Sequence, residues 1–211
     1  MPEIFKQRIP VILASGSPRR KELLLQLGVS LEIIVPRVAE KTSSTEPAQI
    51  VCSLAQRKAR AVAERLTRNN NLPVRSRCLI IAADTIVVLD NKILGKPINK
   101  KDAERMLLSL RGTVHYVYSG LAIISYPEKK IFTTYSRTKV KIRAQLSPRM
   151  ISRLARKHLD KAGAYAVQEH QYRLVEKIWG DYYTVVGLPV PKLRQYFRKI
   201  NFFSPAASVL S

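Results

Sequence analysis

The chain has 211 residues, with 37 Lys plus Arg against 15 Asp plus Glu and a formal net charge of +22. A hydrophobic content of 46 % excludes a disordered chain despite that charge, and 8 Gly with 12 Pro exclude a collagen-like or low-complexity one. The length suits one large domain or two small ones, ample for a core without staples. No apolar run approaches the ~20 residues of a membrane helix. Ile9–Ala14 is shorter than the roughly 7–15 residues of a signal-peptide core, and basic residues follow it. Cys52 and Cys78 form no C-x-x-C pair, and the three histidines are scattered without zinc spacing. A reduced, cytosolic protein with no membrane partner is the expectation.

In chain order, Ile9–Ala14 reads as a buried strand. A helix over Pro18–Leu27 stops at Gly28. Leu31–Val35 reads as a strand, and a long helix starts after Thr45, with Pro47 in its first turn, and runs to Leu66. Asn69–Asn71 with Pro73 is a loop. Leu79–Ala83 is a second buried strand, and Ile86–Leu94 a hairpin turning at Asp90-Asn91. Lys101–Leu110 is helical and ends at Gly112. Val114–Ser125 and Ile131–Arg143 form an antiparallel pair joined through Pro127-Glu128-Lys129. A helix spans Pro148–His158. Short strands are expected at Ala164–Gln168, Leu174–Ile178 and Tyr182–Val186, then a last helix from Pro191 to Ile200 and a frayed tail, Asn201–Ser211. This mixture predicts an α/β domain with a mixed sheet.

Five places could carry chemistry. Ser15-Gly16-Ser17-Pro18-Arg19-Arg20 joins the first strand to the first helix. A helix N-terminus with a hydroxyl and two guanidinium forks suits phosphate, although the same string could be a capped helix with solvent-facing arginines. Lys58 shares a helical stripe with Val51, Ala55 and Val62, so it must snorkel outward or meet an anion. Asp84 ends an apolar strand, where a carboxylate caps a turn, binds metal or acts as a base. Gly95-Lys96-Pro97 offers a close backbone approach and a point charge. Asp160–Gln168 offers Lys161 for phosphate and the Gln168 amide for a base edge. The Walker A loop, the G-x-S-x-G elbow and the G-x-G-x-x-G turn are all absent. Arg137, Lys139, Lys141 and Arg143 alternate with smaller or apolar residues and would line one strand face, either solvated or binding.

These strings resemble a known family. Leu13–Arg20 with Glu22-Leu23-Leu24, Ala83-Asp84-Thr85, Leu94–Pro97, Asp160–Tyr165 and Val185–Pro189 stand in the order and spacing of the Maf family of nucleotide pyrophosphatases, from about residue 9 to 197. The resemblance implies cleavage of nucleoside triphosphates between the α- and β-phosphates, with a divalent cation, Mg²⁺ or Mn²⁺. It implies an elongated mixed sheet flanked by helices, two lobes around a cleft, as in inosine-triphosphate pyrophosphatases, and one domain over residues 1–200 with a tail over 201–211. Members are often homodimers and have been linked to inhibition of septum formation in bacteria. Arg19 and Gln168 match the branch acting on dTTP and UTP. The 7-methyl-GTP branch tends to carry Trp in place of the first Arg and a Glu-containing segment in place of the Gln.

By the same resemblance Asp84 is the general base. Ser15, Arg19, Arg20, Lys58 and Lys96 bind phosphate, Gln168 contacts base or substrate, Thr85 orients Asp84 or the substrate, and Glu40 joins Asp84 as a metal ligand. Two positions depart from the pattern: Glu169 follows Gln168 where the family has Gly, and Ser119 precedes Gly120 where Thr is usual. Only a few of the 37 basic residues are used in this way. The rest can steer anions or bind nucleic acid nonspecifically. Two other readings therefore stand beside the enzyme: a basic nucleic-acid-binding protein, and a cell-division regulator acting through a protein partner, each on the same scaffold.

Overall fold

The computed structural model describes residues 5–39, 42–68, 77–168 and 173–205. Its centre is a seven-stranded mixed sheet. β2 (Val11–Leu13) pairs in parallel with β3 (Leu31–Ile33) on one side and with β4 (Cys78–Leu89) on the other. From β4 onward the sheet is antiparallel through β6 (Val114–Tyr126), β7 (Lys130–Ile142) and β8 (Val175–Trp179). A short β5 (Lys92–Leu94) folds back on the end of β4 through the positive-φ pair Asp90-Asn91.

β4 is apolar at nearly every position because both of its faces are covered. Leu79, Ile81, Ala83 and Val87 face the larger core, built with α1 (Pro18–Gln26), α3 (Lys100–Leu110), α4 (Pro148–Lys157) and α6 (Val190–Lys199). Cys78, Ile80 and Ala82 face α2 (Pro47–Arg68), whose Ala55, Ala59, Val62 and Ala63 pack against them. The small residues of α2 bring it close to the sheet. At Gly120 of β6 the approach leaves no room for a side chain, because a Cβ there would collide with the Val51 carbonyl.

The strand Leu79–Ala83 and the first arm of the hairpin prove to be one continuous strand of 12 residues. On one edge, its first half pairs with β2 as far as Ile81, and its last residues pair with β5 from Val87. The residues between, Ala82–Ile86, lie where one neighbour has left and the next has not yet joined. That gap leaves Ala82–Ile86 without a strand partner on this edge among the described residues.

Other expectations fail for local reasons. Tyr182–Val186, rich in aromatic and β-branched residues, forms a short helix, α5, rather than a strand. The Asp181 carboxylate caps it by accepting from the Tyr183 and Thr184 amides, and Gly187 closes it with φ at 117°. Ala164–Gln168 is not a strand either. A 3₁₀ turn occupies Ala162–Ala164, with Gly163 at φ 68° against Val87. The chain past Ile200 is tied down as far as Pro205: Phe202 is fully buried, and β9 (Phe203–Pro205) pairs with β1 (Phe5–Gln7). The predicted loop at Asn69–Pro73 lies outside the described residues.

Two predictions follow from packing. Gly120→Ala forces α2 off the sheet and is expected to cost about 1–3 kcal/mol, read as a lower midpoint in urea unfolding. The second concerns His115, which is fully buried with Nε2 2.7 Å from the Tyr165 hydroxyl. Burial drives its imidazole from 6.5 down to about 4. The folded protein therefore keeps it neutral while the unfolded chain takes up a proton. Its contribution is complete above the unfolded value and is lost as the pH falls through the folded one, by up to about 3 kcal/mol. Stability should fall between about pH 6.5 and pH 4, and His115→Gln should flatten that slope.

Candidate active site in the sheet gap

Asp84 and Thr85 stand side by side in the gap, and strand alternation sends them to opposite faces. Asp84 points toward α2 and is 6 % exposed. There Lys58 Nζ donates to Asp84 Oδ1 at 2.5 Å. The lysine on the apolar stripe of α2 has thus met an anion rather than snorkelled out. A buried ion pair of this kind is costly to desolvate and adds little net stability over an apolar pair, so its presence is better explained by chemistry.

Thr85 faces the other way. Its Oγ1 lies 2.8 Å from Ser119 Oγ, and Ser119 donates to the Thr184 carbonyl at 2.8 Å. With that proton spent, the Thr85 hydroxyl is the donor to Ser119 and accepts from Arg20 Nη2 at 3.3 Å. The Thr85 hydroxyl is thus tied to α1 and β6 on the face opposite Asp84. Ser119, noted in the sequence only as a departure, is the centre of this relay. The Asp181–Gly187 capping pattern was the signal that could have located its partners.

Arg20 is similarly committed. Its Nε donates to the Gly187 carbonyl at 2.8 Å and its Nη1 to Ser15 Oγ at 3.0 Å. One guanidinium thus joins the first turn of α1, the hydroxyl after β2, strand β4 and the Val185–Pro189 string. Ser15 Oγ also accepts from the Ser17 amide at 3.3 Å. Ser17 occupies the N-cap, but its own hydroxyl makes no capping bond.

Arg19, one residue earlier, turns toward the Asp160 segment. Burial lowers its guanidinium pKa, opposed by the charges of Asp160 and Glu22. Burial would raise the Asp160 carboxyl, but the Lys161 ammonium, at 2.7 Å, and Arg19 hold it below the usual range. The Gly163 amide donates to the Gly95 carbonyl at 3.1 Å, which brings this segment against the turn that carries exposed Lys96. Gln168 follows buried Tyr165–Val167, half-buried, with no hydrogen bond to the other site residues among those described.

Around this stretch of β4 basic side chains thus outnumber the carboxylates Asp84 and Asp160, a balance suited to a polyanion. Glu40 lies outside the described residues, and among those described no group of three or more His, Cys, Asp or Glu could hold a metal ion. Burial raises the thiol pKa of Cys52 and takes that of Cys78 up to about 11, so neither is a thiolate nucleophile at neutral pH. Cavities of about 300 and 570 Å³ lie beside α6, and neither is lined by any of the predicted site residues.

The family profile described as "Maf-like protein" matches residues 10–200. Curated relatives agree over nearly the full length. A protein of Dictyoglomus thermophilum is 41 % identical over 195 residues, covering 91 % of this chain and 96 % of its own. One of Bacillus anthracis is 46 % identical over 193 residues, covering 90 % and 95 %. One of Caldanaerobacter subterraneus subsp. tengcongensis is 45 % identical over 185 residues, covering 87 % and 85 %. Each is named dTTP/UTP pyrophosphatase. With the motif strings gathered around one gap and the family profile spanning almost the whole sequence, the chain belongs to the Maf family.

Proposed function

We propose that this protein hydrolyses dTTP and UTP to the nucleoside monophosphate and pyrophosphate. The observation that carries the reading is the buried Lys58–Asp84 pair beside the interruption in the pairing of β4. Attack at the α-phosphorus needs a positioned water, a base and cations for the departing charge. Asp84 takes the proton of the attacking water as the new P–O bond forms. The bond from the α-phosphorus to the bridging oxygen breaks, and that oxygen leaves on pyrophosphate. Lys58 fixes the orientation of the Asp84 carboxylate. Arg19, Lys96 and Lys161 lie on the neighbouring segments and offset the phosphate charge, while Ser15 and the first turn of α1 offer further donors. Arg20 keeps these segments in register.

The donor chemistry fits a hard divalent cation, Mg²⁺ or Mn²⁺, because such ions take few protein ligands and complete their shells with phosphate oxygens and water. Asp84 would hold it, with Glu40 as a second ligand on the family resemblance, and the ion would supply further charge neutralisation at the phosphates. Gln168 reads the pyrimidine edge, and Glu169 beside it tunes that preference. A homodimer and a cytoplasmic location belong to the same reading. Among the described residues no helix is long and apolar enough to cross a membrane.

With dTTP or UTP and Mg²⁺ the purified protein should release pyrophosphate, and a chelator should abolish the release. Asp84→Asn is expected to lower kcat by about 10²–10⁴-fold. Failure to release pyrophosphate from any nucleoside triphosphate by folded protein would overturn the proposal. Arg20→Lys retains the charge but not the three-way fork, so it should lose about 1–3 kcal/mol of stability together with activity. A melting curve and a kcat/KM measurement on the same preparation check both effects.

A further inference from the structure

α2 covers β4 and β6 but reaches β7 only at its near end, where Gln56 donates to Thr133 Oγ1 at 2.9 Å. Past that point the same sheet face is open. It carries Tyr135, Arg137, Lys139 and Lys141 on β7, then Lys177 and Trp179 on β8, with Tyr116 and Tyr118 of β6 alongside. Tyr135 is 45 % and Trp179 40 % exposed. Cations and rings interleave: the Arg137 guanidinium sits 4.9 Å from the centre of the Tyr116 ring. Lys139 and Lys177 hold their ammonium groups 5.3 and 5.1 Å from the centre of the Trp179 ring. Tyr118 and Tyr135 are stacked at 6.4 Å. The carboxylate among them, Glu176, is taken by Lys141 at 2.7 Å.

We propose that this face binds single-stranded nucleic acid, with Trp179 and Tyr135 stacking on bases and Arg137, Lys139 and Lys177 meeting the phosphates. Rings alone would suit many apolar partners, and cations alone any polyanion. The two together on a flat, open sheet select a chain that offers unpaired bases and a charged backbone. Register places Trp179 one strand across and four residues along from Tyr135, or ~14 Å, a span that successive nucleotides of one strand can bridge. A duplex keeps its bases stacked inside, an anionic vesicle offers no base to stack, and a second copy of this chain would set like charges against each other. The proposal uses none of the residues assigned to hydrolysis.

Trp179 is the sole tryptophan, so its emission reports on this face alone. Oligo(dT) and oligo(U) of about 20 nucleotides should quench it, with an affinity that falls as salt rises. Lys139→Glu with Lys177→Glu should weaken binding at least about tenfold and flatten the salt slope by about 0.7 per lost phosphate contact. Anisotropy of a labelled oligonucleotide should show Trp179→Ala binding about tenfold more weakly, Trp179→Phe staying near the native value, and pyrophosphate release unchanged in every variant. Unaltered Trp179 emission at saturation, equal affinity for duplex or for phosphatidylserine vesicles, or native affinity in both the charge-reversed and Trp179→Ala proteins would overturn the proposal.

Discussion

Lys58 crosses from α2 to Asp84 on β4 inside an interface that is otherwise made of alanine, valine and isoleucine. Both charges are nearly out of water, with side chains 12 % and 9 % exposed. Such a pair persists only if the two backbones are held in register, and much of the surrounding sequence serves that end. The small residues of α2 allow a close seat, Gly120 removes the one Cβ that would prevent it, and the two-sided burial of β4 keeps the strand from shifting. The interruption in the pairing of β4 then leaves Asp84 on a stretch with a strand partner on one side only. A costly ion pair and an interrupted sheet edge thus coincide at one place in the strand.

On the opposite face of β4 the ordering element is a guanidinium. Arg20 satisfies acceptors on Gly187, Ser15 and Thr85, which lie far apart in the chain. The Thr85–Ser119–Thr184 relay extends that tie into β6 and α5. The Val185–Pro189 string matters here through its backbone. It contributes a backbone carbonyl and a left-handed glycine that complete the frame around α1, without any reactive group of its own. Arg19, the neighbouring residue, feels the charges of Asp160 and Glu22 instead. Two adjacent arginines therefore stand in different surroundings, one tied into the frame by hydrogen bonds and the other half-buried beside carboxylates.

The charge of +22 exceeds what a triphosphate site requires. Part of it is spent on ordinary surface pairs such as Lys100–Glu104 and Arg105–Asp102, each worth little in water. Another part is concentrated on β7 and β8, where strand alternation keeps Arg137 and Lys139 outward while Thr138 and Val140 are buried. There Arg137, Lys139 and Lys177 lie against aromatic rings, and only Lys141 takes a carboxylate among the described pairs, which separates that face chemically from the rest of the surface.

Local sequence determined most of the elements, since periodicity and capping chemistry act within a few residues. The α1 stop at Gly28, the long α2, the Asp90-Asn91 turn and the β6–β7 hairpin were all legible in that way. So was the inventory of the site: a carboxylate after an apolar run, a lysine on an apolar stripe and a basic helix start, although the carboxylate proves to stand inside the strand and not at its end. Where local preference competed with a cap or a left-handed glycine, at Tyr182–Val186 and Ala164–Gln168, β propensity was the weaker force and the expectation failed. Three things were decided only by tertiary packing, because each depends on partners distant in sequence: that Lys58 belongs to Asp84, that Arg20 and Thr85 share a hydrogen-bond network, and that α2 reaches only the near end of β7. Composition names the groups that can carry charge and protons. Only the folded sheet, by placing one strand's end beside another's beginning, decides which of them stand together.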